Sequence, residues 1–293
     1  MHAFKKIAIT GKPQDAGTLE TVLHIAGHLL KRGMEVALDS AIVGNAPTPS
    51  GSRCLDSPAL VEGTDLVISV GGDGTLLHTA RLVADHGIPL LGVNRGRLGF
   101  LVDLPPYDFD GLDAVLGGDF IEEDRILLRA EIHRQGKVLV RGLALNAVGL
   151  YEWNTARLSA SRTYPAGSLL PPHRADGIII ATPTGSTAYA LATGGPIVHP
   201  AVDAITLVPV CPHTLSNRPL VISADSLIEV EVPDDYIQRV GVSCDGQSDM
   251  GLQPGSRLRI RRHDHRVRLI HPPHYRYFDI LRAKLRWGDT NTH

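Results

Sequence analysis

The stretch "DLVISVGGDGTLLHTARL", Asp65–Leu82, decides the fold. A short apolar run, rich in Val and Ile, breaks at Gly71, Gly72 and Gly74. Leu76, Leu77 and Ala80 then recur at helical spacing. A strand passing through a glycine turn straight into a helix puts that turn at the C-terminal edge of a parallel sheet, the edge where such folds take ligands. The helix start offers free N–H groups and a positive dipole end, and glycines let the backbone approach phosphate closely. No "GK[ST]" follows, so this is not a P-loop, and the glycine spacing is not that of the dinucleotide fingerprint.

The same rhythm extends on both sides. "KIAIT" reads as a buried strand, and Leu19, Val22, Leu23, Ala26, Leu29 and Leu30 follow at helical spacing up to a capping Gly33. "MEVALD" and "IPLLGVN" add two more strands, and the helix after the glycine turn is expected from about Thr75 to His86. Strands alternating with helices predict a parallel sheet covered by helices. From about Arg125 the rhythm changes. "RILLRAEIHRQGKVLVRGLALN" holds two strand runs around Gln135-Gly136, and seven further short runs follow, from "GIIIAT" to "RVRLIH". That is an all-β pattern of sandwich or stacked-sheet type. Tyr275, Phe278, Leu281, Lys284 and Leu285 then share one helical face. The expected organisation is a Rossmann-like α/β domain over residues 1–122, an all-β domain over 123–272, and a C-terminal helix within 273–293 that returns to the first domain.

A length of 293 residues is enough for two cores without staples. A net charge of −2 gives no reason to expect a polyanion partner, so no nucleic acid is expected. Cys54, Cys211 and Cys244 are odd in number and not at metal-ligand spacing, which argues against a disulfide framework or a zinc site and fits a reducing cytoplasm. The apolar core of the N-terminus is too short for a signal peptide, and no run of eighteen apolar residues predicts a membrane span.

Asp73 is the awkward residue, because a carboxylate repels phosphate. A tight turn with Asp73 as a helix cap is the bland explanation. Chemistry offers another: where phosphate meets a hydroxyl, a carboxylate in hydrogen-bond reach orients the hydroxyl and takes its proton. A divalent cation on the phosphates offsets the repulsion. A second cluster, "RADGIIIATPTGSTAYALATGGPIVHP" at Arg174–Pro200, gathers the hydroxyls of Thr182, Thr184, Ser186 and Thr187 around Gly185. Such a loop suits ribose and phosphate oxygens, and it is equally a loop full of turn formers.

Both clusters, with "GVNRGRLGFLVDL" at Gly92–Leu104, "PVCPHTLSNRPLVI" at Pro209–Ile222 and "VSCDGQ" at Val242–Gln247, resemble the bacterial NAD kinases nearly end to end. The resemblance implies an α/β domain and an all-β domain with the site in the cleft between them. It implies transfer of the γ-phosphoryl of ATP to the adenosine ribose 2'-hydroxyl of NAD, with a divalent cation, Mg²⁺, held mainly by the nucleotide phosphates and no protein metal site. It also implies a homodimer or homotetramer. By position, Asp73 matches the proton acceptor and Gly74 its neighbour in the turn. Asn146 matches a dinucleotide contact, and Arg157, Arg174 and Asp176 match positions near the nicotinamide half. Thr187, Ala188, Tyr189, Ala190, Leu191 and Ala192 match the segment that cradles the adenosine half, and Gln247 matches a ligand contact in the "DGQ" turn. His78, one helical turn past the glycines, either faces the same ligand or is simply solvated. Arg95 and Arg97 either meet ATP phosphates or tie their turn to nearby backbone.

The chain departs from the family at Ala147, where an acidic residue usually follows the asparagine. Losing one charged hydrogen bond costs on the order of 1.5–3 kcal/mol, roughly 10–150-fold in binding. Glu152 is the nearest carboxylate downstream. The stretch Ser159–His173, with three prolines, lacks the family's strand pattern. These departures leave two alternatives open: a kinase of the same fold acting on another ribosyl hydroxyl, or a non-catalytic dinucleotide-binding sensor.

Overall fold

The computed structural model of the chain describes residues 3–96, 99–152, 162–165, 175–212, 217–232 and 240–287. It divides into two compact units, Met1–Asp124 with Val267–His293, and Arg125–Arg266.

The first unit is built on a seven-stranded sheet of β1 (Lys6–Gly11), β2 (Glu35–Asp39), β3 (Arg53–Leu55), β4 (Leu66–Gly71), β5 (Leu90–Asn94), β6 (Ile121–Arg125) and a late strand, Val267–His271. The order is β3-β2-β1-β4-β5, then the late strand, then β6, and every pairing from β3 to the late strand is parallel. Its helices are α1 (Ala16–Lys31), α2 (Ser40–Val43), α3 (Ser57–Leu60), α4 (Asp73–Val83) and α5 (Phe109–Gly117). Asp15 caps α1 by accepting from the Thr18 N–H at 2.8 Å, and that bond holds its carboxyl below the usual range. Val22, Ile25, Ala26 and Leu29 of α1 pack against Ile7, Ile9, Ile68 and Val70 of the sheet. The chain leaves β1 toward β2 and β3, then returns to the other side of β1 as β4 and β5. The strand order therefore reverses between β1 and β4, and Gly71 closes β4 at that switch point.

The late strand corrects the expected boundary, which assigned residues up to 272 to the β domain. Leu269 and Ile270 pair in parallel with Leu90 and Leu91, and both are 1% exposed. Adjacent residues buried on opposite faces mark a strand covered on both sides, as parallel strands are. His271, at its end, has its Nδ1 3.2 Å from both carboxylate oxygens of Asp103 and stacks on Tyr275 at 3.8 Å. The C-terminal helix, Tyr277–Leu285, belongs to the first unit as expected. Leu281 is buried and the Lys284 ammonium lies 5.5 Å from the Phe100 ring centre. Phe278 departs from the expected buried face: it is 62% exposed and sits edge-on to Tyr277.

The second unit is a sandwich. One sheet joins β7 (Leu128–Arg134), β8 (Lys137–Ala144), β10 (Arg162–Pro165), β14 (Ile228–Glu231) and β17 (Arg257–Arg262) in the order β10-β14-β17-β7-β8. The other joins β9 (Ala147–Glu152), β11 (Gly177–Ala181), β12 (Ala204–Val210), β13 (Leu220–Ser223), β15 (Val240–Cys244) and β16 (Ser248–Gly251) in the order β13-β12-β11-β9-β15-β16. The late strand of the first unit is thus β18. Alternate residues of both sheets, among them Ala130, Ile132, Val148, Leu150, Ile178, Ile180, Leu258 and Ile260, form one core. Within the stretch that lacked a strand pattern, Arg162–Pro165 pairs antiparallel with Ile228–Glu231. On the outer face of the second sheet a 3₁₀ turn, Thr184–Thr187, and α6 (Tyr189–Ala192) cover Ile179, Ala181 and Val208.

Candidate active site

In the first unit the glycine turn is more than a cap. The N-cap of α4 is Gly72, and Asp73 is the first helical residue, two positions before the expected start. The carboxylate does not bond the helix's own N–H groups. It reaches the loop after β5, where Oδ2 accepts from the Phe100 N–H at 2.9 Å and Oδ1 from the Leu101 N–H at 3.1 Å. Gly99 makes this possible, because a Cβ there would lie 2.8 Å from Asp73 Cγ. The "RLGFLVD" stretch and the "GGDG" turn are therefore one structure, joined through a carboxylate. An ionised carboxylate has about four acceptor sites, so two stay open after these bonds. Gly71 is needed for packing, since a Cβ there would meet the Thr75 side chain at 2.8 Å, whereas Gly72 is exposed with nothing within 4 Å of a Cβ. The turn thus keeps an open backbone surface above a fixed carboxylate. Gly74, also exposed, follows Asp73 in the first turn of α4.

His78 does not share the side of Asp73. Five helical residues turn the chain by about 140° from Asp73, whereas Gly74, four residues before His78, shares its exposed face of α4. Arg95 packs against α1: a Cβ on Gly17 would lie 2.8 Å from its guanidinium carbon, and its charge helps hold the Asp15 carboxyl down. Its backbone N–H donates to the Gly71 carbonyl at 3.0 Å, continuing the β4–β5 pairing into the turn. Arg97, Arg157 and Arg174 lie outside the described residues.

In the second unit, two separate motifs meet on the segment Leu145-Asn146-Ala147. Asp245, from "CDGQ", accepts all three of its N–H groups: Leu145 on Oδ2 at 3.0 Å, and Asn146 and Ala147 on Oδ1 at 2.8 and 3.1 Å. The Asp245 N–H returns a bond to the Ala147 carbonyl at 2.9 Å. From the "TPTGST" side, the Thr182 hydroxyl lies 2.5 Å from the Leu145 carbonyl and 3.2 Å from that of Asn146, and the Thr182 N–H donates to the latter at 2.9 Å. Gly185 presses on the same segment, where a Cβ would lie 2.8 Å from the Asn146 Cα. Arg125, 2% exposed, donates to the Thr184 hydroxyl at 3.3 Å from below the turn. Asn146 and Gln247 thus come from the two sides of one hydrogen-bonded knot, Gln247 exposed in the turn that Asp245 opens.

The remaining predicted residues spread out from this knot. Asp176 stands just before β11, its N–H on the Val210 carbonyl. Thr187 is half-buried with its hydroxyl on the Thr184 carbonyl at 3.2 Å, and Ala188 links the 3₁₀ turn to α6. Tyr189 is 62% exposed, Leu191 half-buried and Ala192 exposed. Ala190 is 1% exposed and packs on Ile179, Ala181 and Val208, so its side chain belongs to the core. One residue of each helical turn must face the sheet, and Ala190 is that residue here.

Ala147 starts β9 and its methyl joins the same small apolar cluster. Glu152 is the nearest carboxylate downstream of Ala147. It ends β9, and five strand residues put its backbone about 16 Å away. On the outer face of β9, Tyr151 donates to Asp249 at 3.1 Å, and burial together with that carboxylate pushes its phenol up. Asp245 and Gly99 are the residues that sequence reasoning missed. The signals were an aspartate before a glycine in a hairpin turn and a glycine two residues from an arginine-rich turn, and neither says what it touches.

A nucleotide phosphotransferase is the class that this fold and these turns define. Residues 7–120 match the ATP-NAD kinase N-terminal domain and residues 145–272 the ATP-NAD kinase C-terminal domain. The chain is 48% identical to the NAD kinase of Halorhodospira halophila over 288 residues, covering 97% of this chain and 94% of the relative. It is 44% identical to that of Nitrosococcus oceani, with 97% of each covered. A yeast NADH kinase solved with NADH superposes with a TM-score of 0.88 at 25% identity, over 99% of this chain and 89% of that one. An NAD kinase from Archaeoglobus fulgidus solved with ATP gives 0.72 at 26%, over 96% and 98%. The chain belongs to the ATP-NAD kinase family.

Proposed function

We propose that the chain phosphorylates NAD with ATP, with Asp73 as the proton acceptor. The observation that carries this is the Asp73 carboxylate, fixed by the Phe100 and Leu101 amides at the switch point of the sheet with acceptor sites still open. The adenosine ribose 2'-hydroxyl of NAD donates its proton to Asp73 as its oxygen attacks the γ-phosphorus of ATP. The bond from that phosphorus to the β,γ-bridging oxygen breaks, giving NADP and ADP. The fixed orientation matters because a base must already point at the hydroxyl when the bond forms. The exposed turn at Gly72 and Gly74 offers backbone to phosphate oxygens. Asn146 and Gln247 offer amide donors and acceptors to the dinucleotide, and Tyr189 offers a ring or hydroxyl to the adenosine half.

Among the described residues no three His, Cys, Asp or Glu side chains stand together as a metal cage. A divalent cation such as Mg²⁺ would travel with the triphosphate and would offset charge on the transferring group. The NAD kinase names of the relatives favour NAD over another ribosyl acceptor or a purely sensing role. We assign the enzyme to the cytoplasm as a homo-oligomer. Three free cysteines support a reducing compartment, and an apolar edge strand with Leu220 and Val221 40% and 48% exposed supports assembly. No helix among the described residues is long and apolar enough to cross a membrane.

The test is Asp73→Asn, followed by NADP formation and by direct NAD binding. Turnover falls by about 10²–10⁴-fold, the usual contribution of a general base, while NAD affinity changes far less. Turnover within tenfold of wild type removes Asp73 from the proton-accepting role.

A further inference from the structure

We infer that Asp245 is a positioning residue for the dinucleotide, acting through Asn146. The inference rests on the reading of Asn146 as a dinucleotide contact. Asp245 takes the N–H groups of Leu145, Asn146 and Ala147, and Thr182 takes the carbonyls of Leu145 and Asn146. With its N–H groups and these two carbonyls engaged, what the segment has left to offer a ligand is the side chain of Asn146. Which way that amide points is set by the plane in which the three N–H groups are gathered, and one carboxylate gathers them.

The backbone at Asp245 supports the assignment. It sits at φ +55°, in the left-handed region, and Gly246 follows at +66°. Asp tolerates that conformation better than most residues, and the turn aims the side chain back at β9 instead of at solvent. Gly185 closes the other side, so the segment has no room to relax away from a lost partner. The departure at Ala147 raises the stakes, because Asn146 lacks the acidic neighbour that would share the contact.

Two variants separate positioning from general support. Asp245→Ala removes the acceptor for three N–H groups. Asp245→Asn keeps one oxygen for two of them and turns an amide NH₂ toward the third, so it retains the shape and loses part of the hold. The readouts are KM for NAD, KM for ATP, turnover per folded enzyme, and NAD binding by calorimetry. KM and Kd for NAD are expected to rise about tenfold or more in Asp245→Ala and less in Asp245→Asn, with KM for ATP within twofold of wild type. A merely structural aspartate gives lower stability and a smaller folded fraction with KM and Kd for NAD unchanged, and that result overturns the inference. If Asp245→Ala does not fold, Asp245→Asn decides by the same criterion. Calorimetry keeps the two readings apart: wild-type chain that binds NAD without phosphorylating it defeats the proposed activity while the Asp245 comparison still stands, and unchanged binding in Asn146→Ala defeats the contact itself.

Discussion

Gly99→Ala alters a residue to which the sequence assigns no ligand contact, yet the geometry predicts a catalytic defect. A Cβ at residue 99 would lie 2.8 Å from Asp73 Cγ and 3.1 Å from Oδ2, and closer still to Oδ1. Ordinary contact begins near 3.4 Å, so Cγ must retreat by about 0.6 Å and Oδ1 by more. The carboxylate cannot retreat and keep its bonds to the Phe100 and Leu101 amides, which are already 2.9 and 3.1 Å long. Hydrogen bonds to a charged group contribute about 1.5–3 kcal/mol each, so the strain falls on about 3–6 kcal/mol of anchoring. A misplacement of about 1 Å costs up to about 10²-fold in rate. Steady-state NADP formation should therefore show kcat down about 10–100-fold with KM for NAD within about threefold. Circular dichroism and a melting curve should show a folded protein, because the nearest atoms the added methyl meets are those of the Asp73 carboxylate, not apolar core side chains. Wild-type kcat in a folded Gly99→Ala enzyme would refute the claim that Asp73 must be held by this loop.

Two other outcomes follow from the second unit. Ala147→Glu restores the acidic residue usual in the family at the start of β9, and KM for NAD should fall by up to about tenfold. An unchanged or raised KM would mean that the apolar cluster of Ile179, Ala181, Ala190 and Val208 determines this position. Asp203 is held below the usual carboxylate range by its bond to Arg266, helped by the charge of Arg262. A lowered folded-state value means stabilisation present above the unfolded value of about 3.9 and lost as pH falls through the folded one. Asp203→Asn should therefore melt about 2 °C lower near neutral pH, the scale of a partly exposed pair, and the gap should close as the pH drops below about 4. A gap that widens in acid would contradict this.

The sequence by itself determined the two architectures and the turn at the centre of the first. Hydrophobic periodicity is local: "KIAIT", "DLVISV" and the 3.6-residue spacing of α1 need no partner to be recognised. The same holds for Gly71-Gly72-Asp73-Gly74, whose glycines between a strand run and a helical run mark a turn. Ambiguity begins where periodicity is silent about neighbours. "RVRLIH" reads as one more strand of an all-β series, and only its pairing with Leu90 and Leu91 makes it a buried parallel strand of the first sheet. Phe278 has the spacing of a buried face, and only the packing around Leu281 leaves it exposed.

Tertiary structure alone decided what the charged and small residues do. Asp73 carries no sequence mark of its bonds to residues 27 and 28 positions away, and Gly99 none of its closeness to that carboxylate. Asp245 looks like a turn residue until the hairpin folds it back over a segment about a hundred residues earlier. Hydrophobic patterning is written along the chain because burial depends on the side of an element a residue occupies. A hydrogen bond between distant segments depends on two backbones arriving within about 3 Å of each other, and no local pattern encodes that distance.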